Sequence, residues 1–175
     1  MNPYIFREYD IRGLAEKDFD KEFARLLGKV HGTTISEQGG KRVAVGRDYR
    51  PTSDGYANAV IEGLRSVGLH VYDLGICPTP LLYFSLFHLN LDGGVQITAS
   101  HNTSEYNGFK VCVGKETLFG SQIQELRKKI EAGNFPFSKA LFLFHLRRVS
   151  VWSNAWSFAT SSRFRLRKRF VFCNF

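Results

Sequence analysis

The 175-residue sequence predicts an α/β fold, three αβα layers around a mixed, mostly parallel sheet. Two observations carry that expectation. Short β-branched runs alternate with stretches of helical period, and the stretches between the runs are long enough to cross over between parallel strands. Neither an internal repeat nor a low-complexity segment interrupts the alternation. A chain of 19.9 kDa is long enough for one domain with a sizeable core and an appendage.

The elements follow in chain order. Phe19, Phe23, Leu26, Leu27 and Val30 recur at helical spacing behind Asp18, which reads as the N-cap. RVAVGRD, residues 42–48, is a short apolar run ending in charge, as a buried strand is. Pro51-Thr52-Ser53-Asp54 then supplies turn and cap signals for a helix carrying Val60, Ile61, Leu64 and Val67, stopped by Gly68. HVYDLG, residues 70–75, reads as a second strand. Thr79 caps a helix whose first position is Pro80 and which runs through Phe87. GVQITAS at 94–100 and FKVCV at 109–113 are strands. Ser121 and Gln124 form a capping box ahead of Ile123, Leu126 and Ile130, and Gly133 closes that helix.

Composition narrows the function classes. The net charge of +8 suggests a nucleic-acid or membrane-surface protein until its distribution is read. Residues 1–137 hold 16 Lys and Arg against 16 Asp and Glu, while residues 138–175 hold 8 Lys and Arg and no acid. The whole excess lies in the second segment, so the chain divides into a domain, 1–137, and a basic aromatic tail, 138–175. Cys77, Cys112 and Cys173 are few and widely spaced, which suits free thiols better than a disulfide frame or a metal site. The uncharged run from Leu74 to Leu91 contains Gly75, Pro78, Pro80, His88 and Asn90. Those breakers make it a strand end, a turn and a short buried helix rather than a membrane span. A soluble, cytoplasmic protein is expected.

In an α/β sheet, ligands bind where strand ends meet helix starts. TASHNTSEYNGFK, residues 98–110, sits at such an end and gathers Ser100, His101, Asn102, Asn107, Gly108 and Lys110. A hydroxyl beside an imidazole and within reach of an ammonium suits a nucleophile or phosphoryl carrier. The same residues also suit a polar turn between two strands, with His101 bonded locally. FREYDIRG, residues 6–13, offers Arg7, Arg12 and Gly13 to a phosphate, or else an Asp10–arginine pair at the start of a strand. GRDYR, residues 46–50, is a third charged strand end with the same two readings. The glycines match neither a dinucleotide fingerprint nor a P-loop.

YDIRG at 9–13, VGRDYRPTS at 45–53, DGG-x₃-TASHN at 92–102 and EYNGFK at 105–110 resemble the first domain of the α-D-phosphohexomutases. The bacterial phosphomannomutase/phosphoglucomutase branch is the nearest in pattern, and phosphoglucosamine mutase is the alternative within the family. The resemblance is collinear over roughly residues 5–135, with Thr103 standing where the family usually has proline. It implies that Ser100 is a phosphoserine exchanging its phosphoryl group with a mannose or glucose 1- or 6-phosphate. It further implies that a Mg²⁺, held by the Ser100 phosphate and three aspartates, offsets charge on the transferring group. Arg12 and Lys110 match positions for proton handling or contact with the phosphoserine, His101 lies beside it, and Tyr9 and Asn102 belong to the substrate side. The family's DGDGDR-like metal loop, sugar loop and distal phosphate loop do not occur here. Little or no mutase activity is therefore expected of this polypeptide alone.

Residues 138–175 contain both tryptophans, seven phenylalanines, eight basic residues and no glycine. Basic residues interleaved with aromatics, as in RFRLRKRF, suit a tail that binds nucleic acid or an anionic membrane. The competing reading is a non-native tail from a shifted frame on a truncated gene. On that reading neither nucleic acid nor membrane is a partner, and the partners are hexose phosphates.

Overall fold

The computed structural model describes residues 2–133, together with the backbone of Arg147–Arg148. A single 3-10 turn, Pro3–Ile5, leads into β1 (Ile11–Leu14), α1 (Lys21–Glu37), β2 (Arg42–Arg47), α2 (Ser53–Ser66) and β3 (His70–Ile76). α3 (Thr79–His88), β4 (Gly93–Ile97), β5 (Tyr106–Val113), β6 (Glu116–Thr117), α4 (Ser121–Ala132) and β7 (Arg147–Arg148) follow. The sheet order is β1-β5-β4-β2-β3-β7, with β6 paired to β5. β4, β2, β3 and β7 run parallel, and β5 lies antiparallel to β4, β1 and β6. Arg147–Arg148, the described residues of the basic segment, extend the β3 edge; the rest of that segment lies outside the described residues.

Strand residues alternate between two cores, as the pleat requires. Val43, Val45, Val71, Val95, Ile97, Phe109 and Val111 face the layer of α1, α2 and α4. Ala44, Leu74 and Cys112 face α3 through Leu82 and Leu86. The expected αβα layering is therefore present, and the Leu74–Leu91 run is the end of β3, a turn and α3. No helix among the described residues is long and apolar enough to cross a membrane.

Three helix starts differ from expectation for local reasons. Asp20, not Asp18, caps α1, its carboxylate accepting the Phe23 amide at 2.8 Å. Phe19 is still extended there, bridged to Ala15, so the helix begins later. Asp18 turns back to accept the Leu14 amide and the Asn2 side chain, and those donors hold its carboxyl below the usual range. α3 starts at Thr79 itself, behind Pro78, which places Pro80 at the second position. The Ser121–Gln124 box does not form: Gly120 precedes the helix, and the Gln124 amide donates to the Phe6 carbonyl at 3.2 Å instead. β1 is only four residues long and is held as a strand by its antiparallel register with β5.

α1 and α2 cross with their backbones in contact. A Cβ on Gly63 would meet the Arg25 carbonyl oxygen and the Lys29 amide, and a Cβ on Gly28 would meet the Val60 carbonyl. Helix propensity alone favours alanine over glycine by about 1 kcal/mol in a helix interior. Overpacking against main-chain atoms costs about 1–3 kcal/mol and wins here. Gly63→Ala should therefore lower unfolding stability by about 1–2 kcal/mol, measured by urea denaturation. A stabilised variant would show that the helices separate freely.

His31 of α1 is completely buried, and neither ring nitrogen has a hydrogen-bond partner among the described residues. Burial lowers its pKa to about 4, because the imidazolium has nothing to replace its hydration. The unfolded chain, with an ordinary histidine near 6.5, then binds the proton more readily than the folded one. This residue should remove stability progressively as pH falls below about 6.5, reaching about 3 kcal/mol once pH is below the folded value. His31→Leu should flatten that part of a stability–pH curve from urea melts, whereas an unchanged slope would place the titration elsewhere.

Candidate active site

The loop between β4 and β5 leaves the carboxyl end of the parallel strands. Pairing persists one residue beyond β4, the Thr98 amide donating to the Gly108 carbonyl at 2.9 Å. The chain then turns sharply, because Ser100 has φ +57°, a left-handed conformation uncommon for a residue with a side chain. The Ser100 amide donates to Thr98 Oγ1 at 3.0 Å, and the Ser100 side chain faces solvent. Its Oγ lies 3.4 Å from His101 Nδ1, with the proton's position set by the imidazole tautomer.

Arg50 holds this turn. Its guanidinium has five N–H donors, and all five are engaged. Nε donates to Asp48 Oδ2 at 3.0 Å. Nη2 donates to the Ser100 carbonyl at 3.1 Å and the Asn102 carbonyl at 2.6 Å. Nη1 donates to the carbonyls of Thr103 and Tyr106. Asp48 is itself placed by the end of β2: its amide donates to the Ile97 carbonyl at 3.0 Å, and its other carboxylate oxygen accepts the Arg50 amide and the Ser53 hydroxyl. Asn107 closes the far side, donating to Thr52 Oγ1 and Ser53 Oγ at 2.9 and 3.0 Å while accepting the Gly108 amide. A cleft of about 250 Å³ opens over Ser100, Thr98, Asn102, Asp48, Tyr49 and Arg50.

The second group centres on Asp10, a carboxylate only 5% exposed. One of its oxygens, Oδ2, accepts from both Arg12 Nη2 and Lys110 Nζ, the latter at 3.1 Å. Arg12 Nη1 also donates to Asn102 Oδ1 at 2.7 Å, which links this cluster to the serine turn two residues away. The antiparallel register of β1 with β5 makes the convergence possible, since Arg12 faces Gly108 and Lys110 follows two residues on. Arg12 Nε is buried with no hydrogen-bond partner among the described residues. Two cations against one carboxylate leave net positive charge, tied through Arg12 to Asn102 of the serine turn, an arrangement suited to a phosphate group.

Of the residues singled out in sequence, Ser100, His101, Asn102, Arg12 and Lys110 thus lie in one neighbourhood. Tyr9 is 66% exposed just before β1. The Asp10–Arg12 pair that sequence offered as an alternative to phosphate contact is present as well. In the sequence Arg50 and Asp48 stand as a charged strand end within VGRDYRPTS, and neither is assigned a role, because nothing in residues 46–50 announces a partner fifty positions later. A magnesium site does not fit the described residues by themselves. No cluster of three His, Cys, Asp or Glu side chains occurs among them, and Asp10 and Asp48 are each committed to cations.

Comparison with known proteins identifies the family and the fold. Residues 3–136 match the family described as phosphoglucomutase/phosphomannomutase, alpha/beta/alpha domain I. A phosphomannomutase/phosphoglucomutase of Pseudomonas aeruginosa is 43% identical over 127 residues, covering 73% of this chain and 27% of that protein. A phosphoglucomutase of Neisseria meningitidis serogroup B is 40% identical over 131 residues, covering 75% of this chain and 28% of its own length. The crystal structure of a phosphoglucomutase/phosphomannomutase family protein from Burkholderia thailandensis superposes with a TM-score of 0.73 at 36% identity, over 78% of this chain and 32% of that one. The chain thus spans less than a third of the length of the relatives it matches. It belongs to the phosphoglucomutase/phosphomannomutase family, through the α/β/α domain I.

Proposed function

We propose that this chain is the phosphoserine domain of a hexose-phosphate mutase, with Ser100 as the residue that carries the phosphoryl group. The observation that carries the reading is an exposed serine in a left-handed turn that the Arg12–Asp10–Lys110 cluster joins through Asn102. In the proposed reaction a hydroxyl oxygen of a mannose or glucose monophosphate attacks the phosphorus on Ser100. The new O–P bond forms as the Oγ–P bond breaks, and the hydroxyl proton leaves to solvent or a base. The bisphosphate then returns its other phosphoryl group to Oγ, giving the isomeric monophosphate. Phosphoryl transfer is mainly a matter of positioning and charge. Arg12 and Lys110 supply cations for the phosphate oxygens, and Asn102 orients Arg12 through its side-chain carbonyl. His101 is close enough to bond to Oγ once that oxygen is released. A lysine donating to Asp10 suits charge neutralisation better than proton abstraction.

Mg²⁺ enters this reading only with ligands from outside residues 2–133, and the sugar contacts likewise. The chain alone is therefore a phosphoryl acceptor without turnover. Incubation with a hexose 1,6-bisphosphate and Mg²⁺ should place one phosphoryl group on the peptide containing Ser100, detected by mass spectrometry. Ser100→Ala should abolish that labelling, and labelling elsewhere would remove the assignment. Arg12→Gln should slow it by on the order of 100-fold, the usual effect of losing one charge-stabilising donor. Under the same conditions glucose 1-phosphate and mannose 1-phosphate should remain unconverted; sustained conversion by chain free of host mutase would show that the domain is sufficient.

A further inference from the structure

We infer that Arg50 is a positioning residue for the phosphoryl-bearing serine: its guanidinium imposes the left-handed conformation of Ser100 by gathering the carbonyls of Ser100, Asn102, Thr103 and Tyr106. The functional part of this inference rests on the reading of Ser100 as the phosphoryl acceptor; the geometric part does not. Within the turn itself the main chain makes few bonds of its own, chiefly the Asn102 amide to the Ala99 carbonyl and the Tyr106 amide to the Thr103 carbonyl, each at 3.1 Å. Four main-chain oxygens, that of Thr103 among them, converge on one planar fork whose side chain is largely buried. A serine pays strain for positive φ and keeps it only where its surroundings over-determine the backbone. Here the surroundings are Arg50 on the Ser100 carbonyl and Thr98 Oγ1 on its amide.

The fork's shape matters more than its charge. A lysine ammonium at the same position keeps the positive charge and its pairing with Asp48, but has three donors on a single nitrogen and cannot span four separated oxygens. All five Arg50 donors go to Asp48 and to main-chain oxygens, so its effect on chemistry is exerted through the turn.

The test uses the full chain and its Arg50→Lys variant. The backbone coupling and carbon shifts of Ser100 by NMR report its φ directly, without reference to phosphorylation. They should indicate a left-handed Ser100 in the parent chain and an averaged one in the variant, with the far-UV circular dichroism spectrum unchanged. Labelling of Ser100 by hexose 1,6-bisphosphate should then fall by on the order of 100-fold, as displacement of a reacting group by about 1 Å does. A Ser100 that stays left-handed in Arg50→Lys overturns the inference, as does a labelling rate equal to the parent's when the turn has moved. If the parent chain shows the NMR change on substitution yet never accepts a phosphoryl group, the phosphoserine reading fails while the geometric role of Arg50 stands. Asp48→Asn, which leaves the fork and weakens its anchor, covers the case in which Arg50→Lys does not fold. It should move the same signals in the same direction by less, and unmoved signals would overturn the inference.

Discussion

One guanidinium sets the geometry of the candidate site. A loop that leaves a sheet must find partners for the main-chain oxygens that no longer pair with a neighbouring strand. In this protein four of them are met by Arg50, and Arg50 is met by Asp48. Asp48 in turn is fixed because β2 lies beside β4, so that its amide continues the ladder onto the Ile97 carbonyl. The order of strands therefore reaches the serine through two side chains. Asn107 adds a second tie, from the start of β5 to the hydroxyls that open α2.

Charge is arranged with equal economy. Asp10 is buried, and a buried carboxylate needs both charge pairing and hydrogen bonds. Arg12 and Lys110 meet both needs on one oxygen, and in doing so they bring two long, flexible cations to a defined place. Their combined charge exceeds that of Asp10, and water is partly excluded, so a doubly charged phosphate nearby would interact more strongly than on an open surface. The same commitment explains why these carboxylates are poor candidates for holding a divalent metal. The match covers less than a third of each relative, so those proteins carry further chain beyond the aligned domain.

The layered architecture was legible in the sequence because it depends on periodicity. β2, β3, β4 and the three long amphipathic helices α1, α2 and α4 fall where alternating or helical apolar spacing places them. Helix starts were less legible. Asp18 and Asp20 are equally good caps on paper, and the bridge between Ala15 and Phe19 decides between them. Gln124 fits a capping box until the Phe6 carbonyl, far away in sequence, takes its amide. The site divides the same way. Ser100, His101, Asn102 and Lys110 are near neighbours in sequence, so their loop was recognisable. Arg50 is defined by contacts across the sheet, as is the Asp10–Lys110 pair, and no local pattern carries that information.

The central claim is that Ser100 is built to hold a phosphoryl group among converging cations. Its most direct test is a ³¹P NMR titration of the chain phosphorylated at Ser100. The account predicts a phosphate whose second ionisation lies clearly below the value of about 6 typical of an exposed phosphoserine, because Arg12 and Lys110 favour the dianion. Replacing Arg12 by glutamine should move it back towards that ordinary value. A phosphate on Ser100 that titrates like a free phosphoserine in the parent chain would contradict the account.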